Sequence, residues 1–342
     1  MPKKILILSS NEDVHAKRVE RCLEELGVGT QYWDFDPFVH DCNLDFSISD
    51  DLNRFQFEIE NAFVDMMSFH SIWFRRPGAL KSKSFFQPWI EQMMLVEARQ
   101  ALMGMLNSLP CLWVNYPAAD STATLKLFQL QVAKNVGLNL PETIVTNDPA
   151  LAEEFFEKHA GEVVYKLVSE HSNFSLPSFE FPHGIPTLPL RENDLKHLEQ
   201  VRHAPHLFQE RVKKVSDVRV TVIGAKVFAT HIESQQGTGK LDWRNDYSVP
   251  MTAWKLPDEV SEGCIQVLKA LGLNYGAFDF CLDEEARYVF LEVNPAGQYL
   301  WVEQRTEQPL TMEMALLLAG KSAPLVDYKS AAFGGRTNFS RI

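Results

Sequence analysis

The sequence predicts an α/β (α+β) fold that begins with a parallel sheet and ends with antiparallel hairpins. Residues 5–8 form an apolar run that predicts a strand, residues 14–26 predict a helix that ends at Gly27, and residues 31–34 are predicted as a second strand. This strand–helix–strand order favours a parallel sheet. Later in the chain, two runs rich in β-branched residues flank a short turn at residues 224–226, which is a strong hairpin signal.

Composition narrows the classes of function. The chain has 342 residues, of which 45% are hydrophobic, enough for two or three compact lobes. A formal net charge of −12 argues against a nucleic-acid partner, because phosphate binding requires a basic surface. The first apolar run is too short for a signal peptide, and no run is long enough to span a membrane. The five cysteines show no paired spacing, so we expect reduced thiols and a cytoplasmic protein.

The first region, residues 1–117, continues the predicted parallel sheet. Residues 71–74 and 112–115 are apolar strands, and residues 91–106 between them form a long amphipathic helix. No Gly-x-Gly-x-x-Gly motif follows the first strand, so a dinucleotide-binding fingerprint is absent. We therefore expect a first region built on a parallel sheet, without a dinucleotide-binding site.

The second region, residues 118–206, begins with a helix. Ser121 or Thr122 is its predicted cap, and Gly137 is its predicted end. Lys126 then lies in the first turns of this helix, where a lysine is usually a solvated surface residue.

A second lysine of this region lies in a more constrained position. Lys166 falls inside the predicted strand 162–168, on the same face as apolar neighbours, where an unpaired ammonium group is costly. It therefore requires an anionic partner, which is either a carboxylate or a phosphate. The Ser-, Pro- and Phe-rich stretch that follows, residues 171–189, predicts a mobile loop or lid.

The third region, residues 207–327, contains the strong hairpin, a polar loop at residues 235–246 and a helix at residues 260–271, and residues 328–342 form a tail. The polar loop holds Gly-Thr-Gly-Lys, which superficially resembles a phosphate-binding loop. It lacks the first glycine at the required spacing and the following Ser or Thr, so we reject that interpretation.

The end of this region predicts a metal site. A strand at residues 277–282 carries Asp279, and the strand that returns to it ends with Glu292 and Asn294. Side chains alternate along a strand, so Glu292 and Asn294 share a face, and a hairpin can bring Asp279 beside them. Two carboxylates and an amide oxygen among apolar neighbours suit Mg²⁺, which is usually completed by waters and nucleotide phosphates. The alternative is a hairpin whose polar residues simply face solvent.

Taken in chain order, these features resemble the ATP-grasp ligase superfamily over roughly residues 115–325. The resemblance implies an ATP-grasp fold, in which two β-rich lobes clamp ATP, preceded by a Rossmann-like pre-ATP-grasp domain. It also implies roles for individual residues. The implied contacts are phosphates for Lys126 and Lys166, adenine for a hinge at Glu210 and Val212, ribose for Asp217, and Mg²⁺ for Asp279, Glu292 and Asn294.

A closer resemblance is to the macrocyclases that make graspetides, the microviridin type. It covers most of the chain and is carried by the segments 73–77, 140–147, 208–210, 217–224, 242–244 and 290–303. One departure is at Ala296 and Tyr299, where the family's pattern leads us to expect Asn and Trp. The resemblance implies that Asp or Glu side chains of a ribosomal precursor peptide are joined to its own Thr, Ser or Lys side chains. It further implies a leader that docks on the central region, and a homodimer.

The chemistry of such a reaction follows from the residue types. A carboxylate is a poor electrophile, so the γ-phosphate is first transferred to it to give an acyl phosphate. Arg219 and Arg244 can each grip a carboxylate or phosphate through a planar fork. No side chain is an obvious general base. Two alternatives stay open: a ligase that adds a free amino acid to a carboxylate, and a nucleotide-binding scaffold without catalysis.

Overall fold

The structure is a computed structural model that describes residues 3–36, 43–49, 52–59, 62–81, 86–169 and 187–329. The loop predicted over residues 171–189 lies outside these ranges except for its last three residues, and only the first two residues of the tail predicted at 328–342 are described. Within the described ranges, no helix has both the length and the apolar character needed to cross a bilayer.

The first elements form a parallel sheet with a smaller antiparallel sheet beside it. In chain order they are β1 (Lys4–Ser9), α1 (Val14–Glu25), β2 (Gly29–Trp33), β3 (Leu44–Ser49), β4 (Leu52–Ile59), β5 (Ala62–Asp65), β6 (Ser71–Arg76), α2 (Pro88–Leu106) and β7 (Leu112–Val114). The parallel sheet has the order β2-β1-β6-β7, which confirms the predicted start. The antiparallel sheet β3-β4-β5 was not predicted.

Local chemistry explains the limits of α1. The Oδ1 atom of Asp13 accepts hydrogen bonds from the backbone N–H groups of His15 at 2.7 Å and Ala16 at 3.1 Å, which caps the helix start. Gly27, with φ of 72°, takes the left-handed conformation that ends it. The helix α2 was predicted to have one apolar and one polar face. Its apolar residues are in fact divided, because Trp89 and Met93 are exposed whereas others near its end are buried.

The central elements form a second sheet with the order β10-β9-β11-β8. In chain order they are α3 (Pro117–Ala123), α4 (Lys126–Val136), β8 (Thr143–Thr146), α5 (Pro149–Lys158), β9 (Val163–Lys166), β10 (Leu188–Pro189), a 3-10 helix (Glu192–His203) and β11 (His206–Glu210).

The predicted start of the helix in this region was wrong. Instead of one helix capped at Ser121 or Thr122, the structure has α3 and α4, and both predicted caps lie inside α3. Pro117 starts α3, a position that proline favours because its fixed φ suits the first turn. Lys126 is therefore the first residue of α4, and the predicted stop at Gly137, with φ of 91°, is confirmed.

The last elements build a five-stranded antiparallel sheet with the order β14-β13-β12-β15-β16. In chain order they are β12 (Lys214–Ile223), β13 (Lys226–Ile232), β14 (Met251–Trp254), α6 (Asp258–Leu271), β15 (Tyr275–Asp283), β16 (Tyr288–Asn294), α7 (Leu300–Thr306) and α8 (Leu310–Leu318). Helix α6 packs against one face, where Val267 and Leu268 meet Phe278 and Phe280. Alternation places the polar residues of β12, β15 and β16 on the opposite face.

Candidate active site

A cleft of about 1710 Å³ holds most of the residues predicted to act. Nine of the ten predicted site residues line it, namely Lys126, Lys166, Glu210, Val212, Asp217, Arg244, Asp279, Glu292 and Asn294. The tenth, Arg219, is buried directly beside Asp279. Residues from distant parts of the chain are therefore brought to one cavity.

The register of the last sheet aligns three charged residues. Arg219 on β12 is the cross-strand partner of Asp279 on β15, and Asp279 is in turn the partner of Glu292 on β16. Arg219 Nη1 lies 2.9 Å from Asp279 Oδ2. The predicted hairpin that brings Asp279 beside Glu292 is thus confirmed.

Glu292 is surrounded by cations from three parts of the chain. Its Oε2 lies 3.7 Å from Lys126 Nζ, and its Oε1 lies 3.6 Å from Arg244 Nη1. Burial disfavours the charged carboxylate, but Lys126, Arg244 and Lys166 together hold the pKa of Glu292 below its usual range. The carboxylate is therefore ionised at neutral pH.

Lys166 faces the same cavity from β9. Its ammonium group donates a hydrogen bond to Gln209 Oε1 at 2.7 Å. Burial lowers the pKa of Lys166, an effect that Glu292 opposes and Lys126 reinforces. Glu292 is the anionic group near Lys166 that the sequence predicted, and it also lies near Lys126 and Arg244.

The residues present fit a hard divalent cation. Asp279 Oδ1 is buried and has no hydrogen-bond partner among the described residues, and Glu292 is its cross-strand neighbour. Asn294 Oδ1 accepts one hydrogen bond from Ala296 N at 2.9 Å, and an amide oxygen can accept a second interaction. No group of three His, Cys, Asp or Glu side chains in the described ranges is arranged to hold a metal. Two carboxylates and an amide still suit Mg²⁺, since nucleotide phosphates and waters usually complete its shell.

The predicted hinge lies where β11 leaves the central sheet. Glu210 N donates to Glu142 O at 2.8 Å, and Arg211 N donates to Glu162 O at 2.9 Å, so the segment is held on both sides. The next residue, Val212, lines the cleft, and its N–H has no acceptor among the described residues. That free donor is compatible with the predicted contact to adenine.

Asp217 has a partner that sequence reasoning missed. Lys214 Nζ lies 2.8 and 2.7 Å from the two carboxylate oxygens of Asp217 and also donates to Leu241 O at 3.1 Å. Burial raises the pKa of Asp217, and Lys214 counteracts it. Each carboxylate oxygen can accept a further hydrogen bond, so Lys214 does not exclude ribose, and the contact of Asp217 with ribose stays a prediction.

The loop after Asn294 is anchored by side chains from distant elements. Every carbonyl oxygen from residue 295 to residue 298 accepts a hydrogen bond from such a side chain. In order, the donors are Asn115 Nδ2 at 2.9 Å, Arg75 Nη1 at 2.7 Å, Tyr275 Oη at 2.6 Å and Arg219 Nη2 at 3.4 Å. A Cβ on Gly297 would collide with Ala277, so only glycine fits there.

Arg75 belongs to a network that sequence reasoning also missed. Its Nε lies 3.3 Å from Asp13 Oδ2, and Asp13 caps α1. His15 Nε2 accepts from Tyr299 N at 3.2 Å and Leu300 N at 3.3 Å, at the start of α7. The signal available in the sequence was the arginine pair Arg75 and Arg76 at the end of an otherwise apolar strand.

Comparison with known proteins gives concordant matches. Residues 4–121 match the family described as the MvdD pre-ATP grasp domain. No similar sequence was found among the curated proteins.

Three solved structures cover nearly the whole chain. The macrocyclase MdnB from Microcystis aeruginosa MRC is 30% identical, with 93% of this chain and 99% of MdnB covered and a TM-score of 0.77. The macrocyclase MdnC from Microcystis aeruginosa MRC, bound with precursor peptide MdnA, is 27% identical, with 93% and 99% covered and a TM-score of 0.81. A RiPP-associated ATP-grasp ligase from Chryseobacterium gregarium, in complex with ADP and a leader and core peptide, is 25% identical, with 95% and 99% covered and a TM-score of 0.86.

Proposed function

This chain belongs to the family of ATP-grasp peptide macrocyclases, and from that premise we propose that it cyclises a ribosomal precursor peptide through its side chains. The chain is an ATP-dependent ligase. The finer proposal is that Asp or Glu side chains are joined to Thr, Ser or Lys side chains as esters or amides. The observation that carries the proposal is the cluster in one cleft of Glu292, Asp279 and three cations, Lys126, Lys166 and Arg244.

The proposed reaction has two steps. A substrate carboxylate oxygen attacks the γ-phosphorus of ATP, the bond to the β-phosphate oxygen breaks, and ADP leaves. A hydroxyl or amine of the same peptide then attacks the acyl carbon, the bond from that carbon to the phosphate oxygen breaks, and the proton of the nucleophile leaves with the phosphate. Lys126 and Lys166 are placed to offset charge on the phosphoryl oxygens, the term that usually dominates such transfers. A Mg²⁺ held by Asp279, Glu292 and Asn294 would supply further neutralisation of phosphate charge.

The two arginines are not equivalent in this proposal. Arg244 directs Nε and Nη2 to Asp242 at 2.9 and 2.7 Å, which holds the guanidinium while Nη1 faces the cleft. Arg219 instead commits Nη1 to Asp279 and Nη2 to Gln298 O. Arg244 is therefore the better candidate to hold the substrate carboxylate, and Arg219 acts through Asp279.

The partners and organisation also belong to the proposal. We assign residues 1–117 to a pre-ATP-grasp domain, 118–206 to a central lobe that receives the leader, and 207–327 to the lobe with the metal site. Relatives crystallised with precursor peptides support a peptide partner. The homodimer is proposed from the resemblance to the family. The need for ATP and the four free cysteines in the described residues favour the cytoplasm.

Mass spectrometry tests the proposal. The purified chain is incubated with Mg²⁺, ATP and a short peptide encoded beside its gene that is rich in Thr, Ser, Lys, Asp and Glu. Cyclisation removes one water per ring and releases ADP and phosphate, whereas a ligase of free amino acids would add the mass of a residue. Hydroxylamine cleaves esters and spares amides, which assigns the linkage. Nucleotide binding without any change in peptide mass would indicate a scaffold and overturn the proposal.

A further inference from the structure

The cleft continues past the metal site to a wall formed by the first region of the chain. Arg76 Nη2 donates to the carbonyl oxygen of Ala296 at 3.3 Å, which joins β6 to the loop that follows Asn294. Beyond this contact, the lining comes from β6, residues 77–80, α2 and Phe35. A typical small-molecule pocket has about 300–1,000 Å³. A cleft of about 1710 Å³ therefore has room for a second ligand beside a nucleotide.

Helix α2 presents three lining residues in one row. Glu91, Leu95 and Arg99 are four residues apart, so they lie on the same side of the helix. The outer two are separated by about 12 Å along its axis. The last turns of the helix are anchored, because Leu102, at 1% exposure, packs in the core of the first region on the same side of the helix as the row.

The polar groups of this row lack partners inside the protein. Glu91 Oε1 is buried without a hydrogen bond among the described residues. Arg99 is exposed to the cleft and forms no ion pair with any described residue. A buried acceptor without a donor is costly, so a ligand that supplies the donor gains free energy on binding.

The charge of the cleft favours an anionic ligand. The described lining holds ten Lys or Arg residues and eight Asp or Glu residues, whereas the whole chain has 33 and 45. The cavity is thus cationic inside an acidic protein, and field lines concentrate in such a cleft.

We propose that the row Glu91, Leu95 and Arg99, with Phe74 and Arg76 beside it, is a subsite for an acidic segment of the peptide substrate. The proposal rests on the proposed function and extends it to a second contact region. Arg99 pairs with a carboxylate of the peptide, Leu95 contacts the intervening chain, and Glu91 accepts a hydrogen bond from a backbone N–H or a hydroxyl. An extended peptide rises about 3.3 Å per residue, so the distance between Glu91 and Arg99 corresponds to three to four residues of the peptide. The group that donates to Glu91 and the carboxylate that pairs with Arg99 are therefore three to four residues apart in the peptide.

A binding assay isolates this subsite from the chemistry. The probes are two fluorescein-labelled synthetic decapeptides, one alternating Thr with Glu and the other Thr with Gln. Fluorescence anisotropy is measured with the full chain, Mg²⁺ and a non-hydrolysable ATP analogue, at low and at moderate salt. The variants are Arg99→Gln and Arg99→Lys. The matched control is Arg21→Gln, an exposed arginine on α1 that does not line the cleft.

The expected results are specific to charge and position. The parent binds the Glu probe at least about fivefold more tightly than the Gln probe, an advantage that falls with salt. Arg99→Gln binds the Glu probe at least about threefold more weakly than the parent, while the Gln probe and the affinity for ATP are unchanged. Arg99→Lys retains part of the advantage, and Arg21→Gln behaves as the parent.

Two results overturn the subsite. One is a parent that does not distinguish the two probes, and the other is an Arg99→Gln variant that binds the Glu probe as the parent does. Failure of the proposed function has a different signature. The chain would then bind the Glu probe in an Arg99-dependent way but form no dehydrated product from the precursor peptide.

Discussion

Arg219 Nη1 and Asp279 Oδ2 are 2.9 Å apart on directly opposed residues of β12 and β15, and both side chains are almost fully buried. The ion pair fixes the position of the Asp279 carboxylate, which is one of the proposed metal ligands. Glu292, the second carboxylate ligand, lies directly opposite Asp279 on the next strand. A buried pair of this kind is costly to break, because either partner alone is left as an uncompensated charge.

The first prediction concerns this pair. Arg219→Lys keeps the charge but cannot form the planar fork that reaches both Asp279 and Gln298 O, so we expect the free energy of unfolding to fall by about 1–3 kcal/mol. Cyclisation should then follow the folded fraction, measured by urea unfolding beside a mass-spectrometric product assay. Arg202→Lys, at an ion pair of the 3-10 helix in which both side chains are exposed, is the control and should change little.

The opposite result would restore Arg219 to direct substrate binding. A variant as stable as the parent, with normal ATP affinity and a normal dependence on Mg²⁺ concentration but no cyclised product, would indicate that Arg219 contacts the peptide. A variant that is as stable as the parent and cyclises normally would show that Arg219 neither stabilises the fold nor contacts the peptide.

The second prediction concerns Glu292. Glu292→Gln keeps the shape but removes the charge that faces Lys126, Arg244 and the proposed Mg²⁺. We expect ATP turnover to fall by about 100-fold or more, since electrostatic groups at phosphoryl transfer sites contribute several kcal/mol. The fold should survive, as measured by the melting temperature. Glu284→Gln in the exposed hairpin turn is the control, and turnover near the parent rate at saturating Mg²⁺ would contradict the assignment of Glu292.

The third prediction concerns Lys166. Burial lowers its pKa, so its ammonium group is destabilised before nucleotide binds. Lys166→Met keeps the aliphatic stem, and we expect at least about tenfold weaker ATP binding by calorimetry with an equal or higher melting temperature of the free protein. Lys134→Met on the exposed side of α4 tests whether any loss of a lysine has the same effect. Unchanged ATP affinity in Lys166→Met would reduce Lys166 to a structural residue.

The fourth prediction is a pH dependence of stability. Burial lowers the pKa of His15, with Asp13 opposing and Arg75 reinforcing this effect, so the folded protein holds the ring neutral to accept from Tyr299 N and Leu300 N. Below the unfolded pKa of about 6.5 the unfolded chain binds the additional proton. Stability therefore falls as the pH falls below that value, by at most about 1.4 kcal/mol per pH unit.

The control for this pH effect is His15→Gln, which retains an acceptor but does not titrate. The difference in unfolding free energy between parent and variant should be flat above pH 7 and should shrink, or change sign, towards pH 5. Other histidines with lowered pKa, such as His70 and His206, are present in both proteins and cancel. A difference that is independent of pH would show that His15 does not titrate in this range.

Local sequence patterns predicted several elements of the site correctly. The two apolar runs around residues 283–287 predicted a hairpin that brings Asp279 near Glu292, and this pairing of strands is observed. A bulge between Asp279 and Phe280 makes Glu292, rather than Leu291, the direct partner of Asp279, and the pattern did not predict that shift. Lys166 was singled out because an apolar strand makes any interior lysine conspicuous. The parallel start of the chain followed from the strand–helix–strand order for the same local reason.

Other features of the fold and the site were not predicted. The break between α3 and α4 was missed because Ser121 and Thr122 are good caps wherever they occur, while the actual start at Pro117 depends on where β7 ends. The sheet β3-β4-β5 was missed although its strands alternate. The pairing of Lys214 with Asp217 was not predicted, because residues three apart on a regular strand face opposite sides, and a bulge between Lys214 and Ser216 is what brings the two side chains together.

By itself, the sequence determined which residues share a face and which strands pair with a neighbour in the chain, since these depend only on backbone periodicity and short turns. Only the tertiary structure decided which cation meets which carboxylate. Arg219 and Arg244 are equivalent as residue types, yet one is buried against Asp279 and the other faces the cleft beside Glu292. The cause is that charge pairing acts over a few ångströms, and those distances are set by packing between elements far apart in the chain.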